Sequence, residues 1–220
     1  MELVQTLIDY VLHLDTHLAA LVNSAGAWTY IILALIIFCE TGLVVTPFLP
    51  GDSLLFATGA IAAASTLEIG ILLPLLTFCA ILGNAVNYKA GKIFGDRAAE
   101  GKLPLVKKAH IDRTHEFFVR HGGKTIFLAR FVPIIRTFAP FVAGAGEMPY
   151  RRFAIYDVVG GITWVGSMLL SGYFFGNLPF VRDNFSVVIL AIIIVSLIPG
   201  VVAVLQERAR IRRSRAESVA

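Results

Sequence analysis

Four ionisable side chains, Glu40, Asp52, Arg130 and Arg136, lie inside stretches otherwise apolar enough to sit in a membrane, two acids in the first half of the chain and two arginines in the second. This pattern constrains the fold more than any other, because an Arg or Asp at the centre of a spanning helix costs about 2.5–3.5 kcal/mol, and four unpaired ones would cost on the order of 10 kcal/mol. That rivals the net stability of an ordinary domain. Such residues must pair, face a water-filled cavity or perform a function.

The surrounding composition sets the class. With 57% hydrophobic and 15% charged residues and a mean hydropathy of +0.77, the chain is too apolar for a soluble domain of this length, and an all-α integral membrane protein is expected. The N-terminus carries Glu2, Asp9 and Asp15 where a secretory signal would place Lys or Arg, so insertion is expected to use the spans themselves. Cys39 and Cys79 both lie in apolar segments and read as small buried hydrophobes rather than a disulfide or metal pair.

Charge is unevenly spread: residues 1–88 hold no Lys or Arg, and all 19 come later. Seven basic and four acidic residues fall in Asp96–Lys124, and a second basic cluster follows Gln206. By the positive-inside rule both should be cytoplasmic, placing the C-terminus there. Basic residues flanking spans are the ordinary topological signal, so no nucleic-acid partner is expected.

Residues 1–24 suit an amphipathic helix, with Leu3, Leu7, Val11, Leu12, Leu14, Leu18 and Leu21 near one face and Asp9, His13 and Asp15 toward the others. A single membrane domain is expected over 25–206, followed by a basic cytoplasmic tail at 207–220. Within the domain the reading places hairpin one at 27–66, a span at 69–95, a basic cytoplasmic segment at 96–124, hairpin two at 124–147, and spans at 153–176 and 185–205. Pro47, Pro50 and Gly51 break the first hairpin, and Pro133 and Pro140 the second. Arms such as the 14-residue Ser53–Thr66 are too short to cross upright. Broken backbone at membrane depth is tolerated where protein or a watery cavity covers it, so both hairpins read as re-entrant. Ala27–Pro47 can also be read as a full span, and the side of the N-terminus depends on that choice.

The second half echoes the first. Phe131-Val-Pro133 follows Phe48-Leu-Pro50 at an offset of 83, and Gly172-Tyr-Phe-Phe-Gly176 follows Gly91-Lys-Ile-Phe-Gly95 at an offset of 81. Counting crossings back from a cytoplasmic tail makes the two hairpins enter from opposite faces, the expectation for an inverted-topology repeat whose hairpins meet near the midplane.

Arg130 and Arg136 flank Pro133; on an unbroken helix they would point in different directions, whereas a break can turn both toward one pocket. A guanidinium fork suits a phosphate or carboxylate. The alternatives are snorkelling to the interface or salt bridges to Glu40 and Asp52. A carboxylate in a desolvated site can exchange protons in the physiological range, which makes Glu40 and Asp52 candidate coupling groups. Asp52 can equally cap a helix starting at Ser53. Asn84, Asn87 and Tyr88 could line the same cavity or serve helix packing, and Asp157 is a secondary candidate expected to meet Arg151, Arg152 or interfacial water. His110, His115 and His121 lack the spacing of a helical metal pair, and no nucleophile elbow, Walker loop or dinucleotide motif is present. No metal, cofactor or enzymatic activity is expected.

The runs FCETGLVVTPFLPGDSLLFATGAIA, GNAVNYKAGKIFG and HGGKTIFLARFVPIIRTFAPFVAGAGEMPYRRF, with SGYFFG, closely resemble the bacterial DedA family of inner-membrane proteins. The resemblance implies a domain with paired re-entrant hairpins shared with eukaryotic lipid scramblases. It further implies a role in returning undecaprenyl phosphate across the cytoplasmic membrane and in membrane homeostasis that depends on the proton motive force. It places the family's essential acids and arginines on Glu40, Asp52, Arg130 and Arg136. The expected function is translocation of a lipid phosphate, with membrane lipids and protons as partners and a homo-oligomer compatible with it. A proton-coupled antiporter of a cation or small solute and a non-transporting scaffold are the alternatives.

Overall fold

The structure is a computed structural model that describes residues 14–43, 51–99, 122–195 and 198. Among these residues all regular secondary structure is helical, without strands. The helices are α1 (Leu14–Ala25), α2 (Trp28–Gly42), α3 (Gly51–Ala62), α4 (Ile69–Ala99), α5 (Lys124–Ala129), α6 (Pro133–Ala145), α7 (Tyr150–Phe175), α8 (Pro179–Asp183) and α9 (Phe185–Val195). The first 13 residues, Pro47, Pro50, the histidines at 110, 115 and 121, and the tail 207–220 lie outside the described residues, as does most of 196–205.

Two helices stand apart in length. At 31 and 26 residues, α4 and α7 extend about 46 and 39 Å, beyond the ~30 Å hydrocarbon layer. Both are apolar enough to cross a membrane. Helix α7 begins at Tyr150, three residues before the expected boundary, because Pro149 supplies a fixed φ at its N-cap. Outward-facing Phe78 and Leu82 on α4 and Ile155, Val159 and Ile162 on α7 are exposed. Contiguous apolar surface of that kind belongs against lipid.

The long helices each carry a shorter one from the other half of the chain. Helix α3 packs chiefly on α7 and α6 chiefly on α4, while α2 also lies on α4. Glycines make these contacts possible. A Cβ on Gly172 would overlap the Phe56 carbonyl and one on Gly91 the Phe141 carbonyl; one on Gly59 would overlap the Leu169 carbonyl and one on Gly144 the Tyr88 carbonyl. Each contact therefore has a counterpart in the other half, 81 residues on along the long helix and 85 along the short one. The offset of 81 seen in the sequence is thus also an offset between packing contacts.

Pro140 does not break the second short pair: α6 runs through it to Ala145. The α4 contact at Gly91 and Gly144 braces that helix, and Asn87 Nδ2 donates to the Thr137 carbonyl at 2.8 Å in the turn that Pro140 weakens. Cys39 and Cys79 are half-buried and not disulfide-bonded. The short helix α8 has no counterpart in the sequence expectations.

Apolar packing divides into two cores. One gathers Leu33, Ile37, Leu55, Leu72, Leu76 and Leu169 with Leu18 of α1 and Ile189 of α9. The other holds Tyr88, Ile126, Ala139, Ala143, Met148 and Phe153. Along α4 the order is apolar core, then Asn84 and Asn87, then the second core; α7 runs the other way, from Phe153 through Asp157 to Trp164 and Leu169. A polar layer separates the cores.

Candidate functional site

That layer is built by the interruption between α5 and α6. Arg130 is the C-cap of α5, and Val132 is extended (φ −120, ψ 104), as the residue before a proline must be. Pro133 then opens α6 where its missing N–H costs nothing. Arg136 follows at the end of the first turn, so both arginines turn inward, 2% and 4% exposed. The interruption falls directly before Pro133, and the two arginines on either side of it meet different acids.

Arg136 is the hub. Its Nη1 donates to Asp52 Oδ1 at 2.6 Å, and its Nη2 pairs with Glu40 Oε1. Its guanidinium lies over the Trp164 ring, 4.4 Å from the centroid, and Trp164 Nε1 donates to Asp52 Oδ1 at 2.7 Å. Glu40 stands in the last turn of α2, where the helix dipole disfavours an acid, so Arg136 is what compensates it. Gly51, the expected break, is the first residue of α3; a side chain there would overlap the Glu40 carboxylate. Asp52 lies within the first turn of α3 and directs Oδ1 to Arg136 and Trp164.

Arg130 makes a separate pair. Its Nη2 donates to Asp157 Oδ1 at 2.6 Å, the same oxygen that accepts from Asn84 Nδ2 at 2.7 Å. The expectation that Asp157 meets Arg151, Arg152 or interfacial water is therefore corrected: Asp157 faces inward, 1% exposed. The guanidinium of Arg130 crosses α7 at Gly160 and Gly161, where a Cβ would come within 3.0 Å of its Cδ and 3.4 Å of its Nη atoms. It also lies 5.9 Å from the Trp164 ring centroid. Nε and Nη1 of Arg130 and Nε of Arg136 have no hydrogen-bond partner among the described residues.

Asn87 joins the layer by donating to the Thr41 and Thr137 carbonyls, tying α2 and α6 to α4. Tyr88 does not join it: the hydroxyl donates to the Met148 carbonyl and the ring stacks on Phe153 in the second core. Among the described residues no group of His, Cys, Asp and Glu is arranged to hold a metal.

Trp164 was not singled out from sequence, yet it contacts both arginines and one acid. A signal was present: Phe153, Asp157, Gly160, Gly161, Trp164 and Val165 fall at the spacing of one helix face, and all are buried. With every group ionised the cluster carries three carboxylates, Glu40, Asp52 and Asp157, against two guanidiniums.

Fold and site together define a multi-pass helical membrane protein with a buried ionic cluster. The VTT domain matches residues 49–174, from the approach to α3 to the end of α7. The chain is 52% identical over 211 residues to Protein DedA of Escherichia coli strain K12, covering 94% of this chain and 96% of that one. It is 42% identical over 186 residues to the uncharacterized membrane protein Rv0364 of Mycobacterium tuberculosis, covering 83% and 80% of the two chains. Inner membrane protein YghB of Escherichia coli strain K12 is 30% identical over 177 residues, with 80% and 78% covered. No solved structure matches the chain. The chain belongs to the DedA family of membrane proteins.

Proposed function

We propose that this protein moves a lipid phosphate, of which undecaprenyl phosphate is the expected example, between the leaflets of the bacterial inner membrane, and that proton movement biases the exchange. The observation that carries the reading is the arginine pair: two buried guanidiniums on either side of one chain break, directed toward one indole and held by carboxylates. A phosphate stripped of water needs fixed positive charge, and a guanidinium fork can trade a carboxylate for a phosphate with little change of geometry.

In this reading α2 with α3 and α5 with α6 are the re-entrant hairpins, entering from opposite faces. The 15, 12, 6 and 13 residues of these helices extend only about 9–22 Å, short of the ~30 Å hydrocarbon layer. The reciprocal glycine contacts support an inverted repeat. The C-terminal tail lies in the cytoplasm. The arriving headgroup takes Arg130 and Arg136, while Glu40 or Asp52, released from Arg136, accepts a proton. This assigns the protein no enzymatic step and no cofactor.

The excess of one carboxylate over guanidiniums also favours a second reading, proton-coupled exchange of a cation or small solute with the arginines as internal counter-charges. Proteoliposomes separate the two. Transfer of labelled polyprenyl phosphate between leaflets is expected from the wild type and absent from Arg130→Gln and Arg136→Gln. Absence of wild-type lipid transfer, with or without a pH gradient, overturns the lipid reading; solute-driven pH changes without lipid transfer establish the second.

A further inference from the structure

A second surface connects with the arginines. Between α4 and α7 an outward-facing groove of about 630 Å³ is lined by Pro74, Phe78, Ile81, Ile162, Gly166 and Leu170, among others. Its walls belong to the two helices able to cross a membrane, and Phe78 and Ile162 are more than half exposed there. Ile81 has a second role: it closes over Gly161 on α7. A Cβ at Gly161 would stand 2.9 Å from Ile81 Cγ1 and 3.4 Å from both Nη atoms of Arg130. The inner wall of the groove and the Arg130 guanidinium thus converge on one point, and Arg130 Nε and Nη1 are buried there without a partner among the described residues.

We propose that this groove seats the hydrocarbon chain of the lipid phosphate whose headgroup Arg130 takes. The inference rests on the lipid reading above and adds to it where the chain lies: beside α4 and α7, on the lipid-facing side. An apolar groove opening toward lipid, with a guanidinium behind its inner wall that keeps two N–H positions unused beside its Asp157 pair, matches a ligand with an anionic head and a long unbranched or isoprenoid tail. A soluble anion would use the cation and leave the groove idle.

Gly166 provides the test, because a Cβ there meets nothing within 4 Å. Gly166→Leu fills the groove without disturbing the helix packing. Ala90→Leu, on an exposed position of α4 outside the groove, is the matched control. Two probes are used with purified protein in phosphatidylcholine vesicles: leaflet transfer of a long-chain polyprenyl phosphate, and binding of water-soluble butyl phosphate. Gly166→Leu is expected to lower long-chain transfer about tenfold, the scale of an overpacked apolar site, while butyl phosphate binding and the Ala90→Leu control stay at wild-type values. Long-chain transfer by Gly166→Leu equal to wild type overturns the groove and leaves the lipid reading intact, as does an equal loss for both probes. Failure of the wild type itself to move the lipid is the separate result that removes the reading beneath.

Discussion

Replacing Arg136 by Met keeps an unbranched, apolar stem and removes the charged guanidinium, and the structure defines what is left behind. Arg136 pairs with Glu40, which is 1% exposed, and with Asp52, and its guanidinium rests on Trp164. Removing one partner of a buried pair costs about 3–5 kcal/mol, and losing a desolvated cation–π contact adds about 1 kcal/mol. Arg136→Met should therefore lower stability by about 4–6 kcal/mol. Glu40→Gln alone leaves Asp52 to hold the guanidinium and should cost about 1 kcal/mol. In the double variant the Gln no longer strands a charge, so about 1–2 kcal/mol of the Arg136→Met loss returns, a coupling of about 2–3 kcal/mol. The assay is unfolding of the detergent-solubilised protein by titrated SDS, followed by tryptophan fluorescence. A double variant less stable than Arg136→Met alone would refute the view that charge compensation, rather than packing, holds α2 and α3 to α6.

Other expectations follow from the same contacts. Gly91→Ala and Gly172→Ala, whose Cβ atoms would overlap carbonyls of the partner helix, should each destabilise by about 1–3 kcal/mol in that titration, whereas Gly166→Ala, which meets open space, should be neutral or stabilising by up to about 1 kcal/mol. Trp164→Phe keeps a ring beneath the guanidiniums but removes the donor to Asp52; a stability loss of about 1–2 kcal/mol is expected, and an unchanged midpoint would show that the hydrogen bond contributes nothing. Asp157→Asn removes the acid that competes for Arg130, so butyl phosphate binding, read by calorimetry, should tighten by about tenfold while lipid transfer slows because release is impaired; weaker binding would contradict that competition.

Much of the site was legible because membrane burial makes charge conspicuous. Glu40, Asp52, Arg130 and Arg136 could be chosen on energetic grounds, and Pro133 announced the break that turns both arginines inward. The pairing was legible in part: salt bridges from the arginines to Glu40 and Asp52 stood among the alternatives and Arg136 makes both, whereas the Arg130 pair with Asp157 was not foreseen. Asp157 lies six residues after Arg151 on one helix, and sequence proximity suggested that neighbour. Its actual partner comes from the α5–α6 interruption, 27 residues upstream, and is admitted by the side-chain-free surface of Gly160 and Gly161. Pro140 misled for the opposite reason: a proline weakens a helix locally, but contact with α4 through Gly144 holds α6 together across it. Trp164 carried no charge and drew no notice until its helix face was assembled.

The exchange of partners between the two halves also bears on how the protein is made. Ribosomes deliver Glu40 and Asp52 to the membrane within a stretch, residues 1–88, that contains no Lys or Arg. The guanidinium that neutralises them is encoded 96 and 84 residues later, a delay on the order of 5–20 s at ordinary elongation rates. During that interval α3 also lacks α7, the helix it packs against. The first half therefore enters the membrane with its two acids unneutralised and α3 uncovered, and a chain truncated before α6 never acquires the guanidinium that Glu40 and Asp52 require.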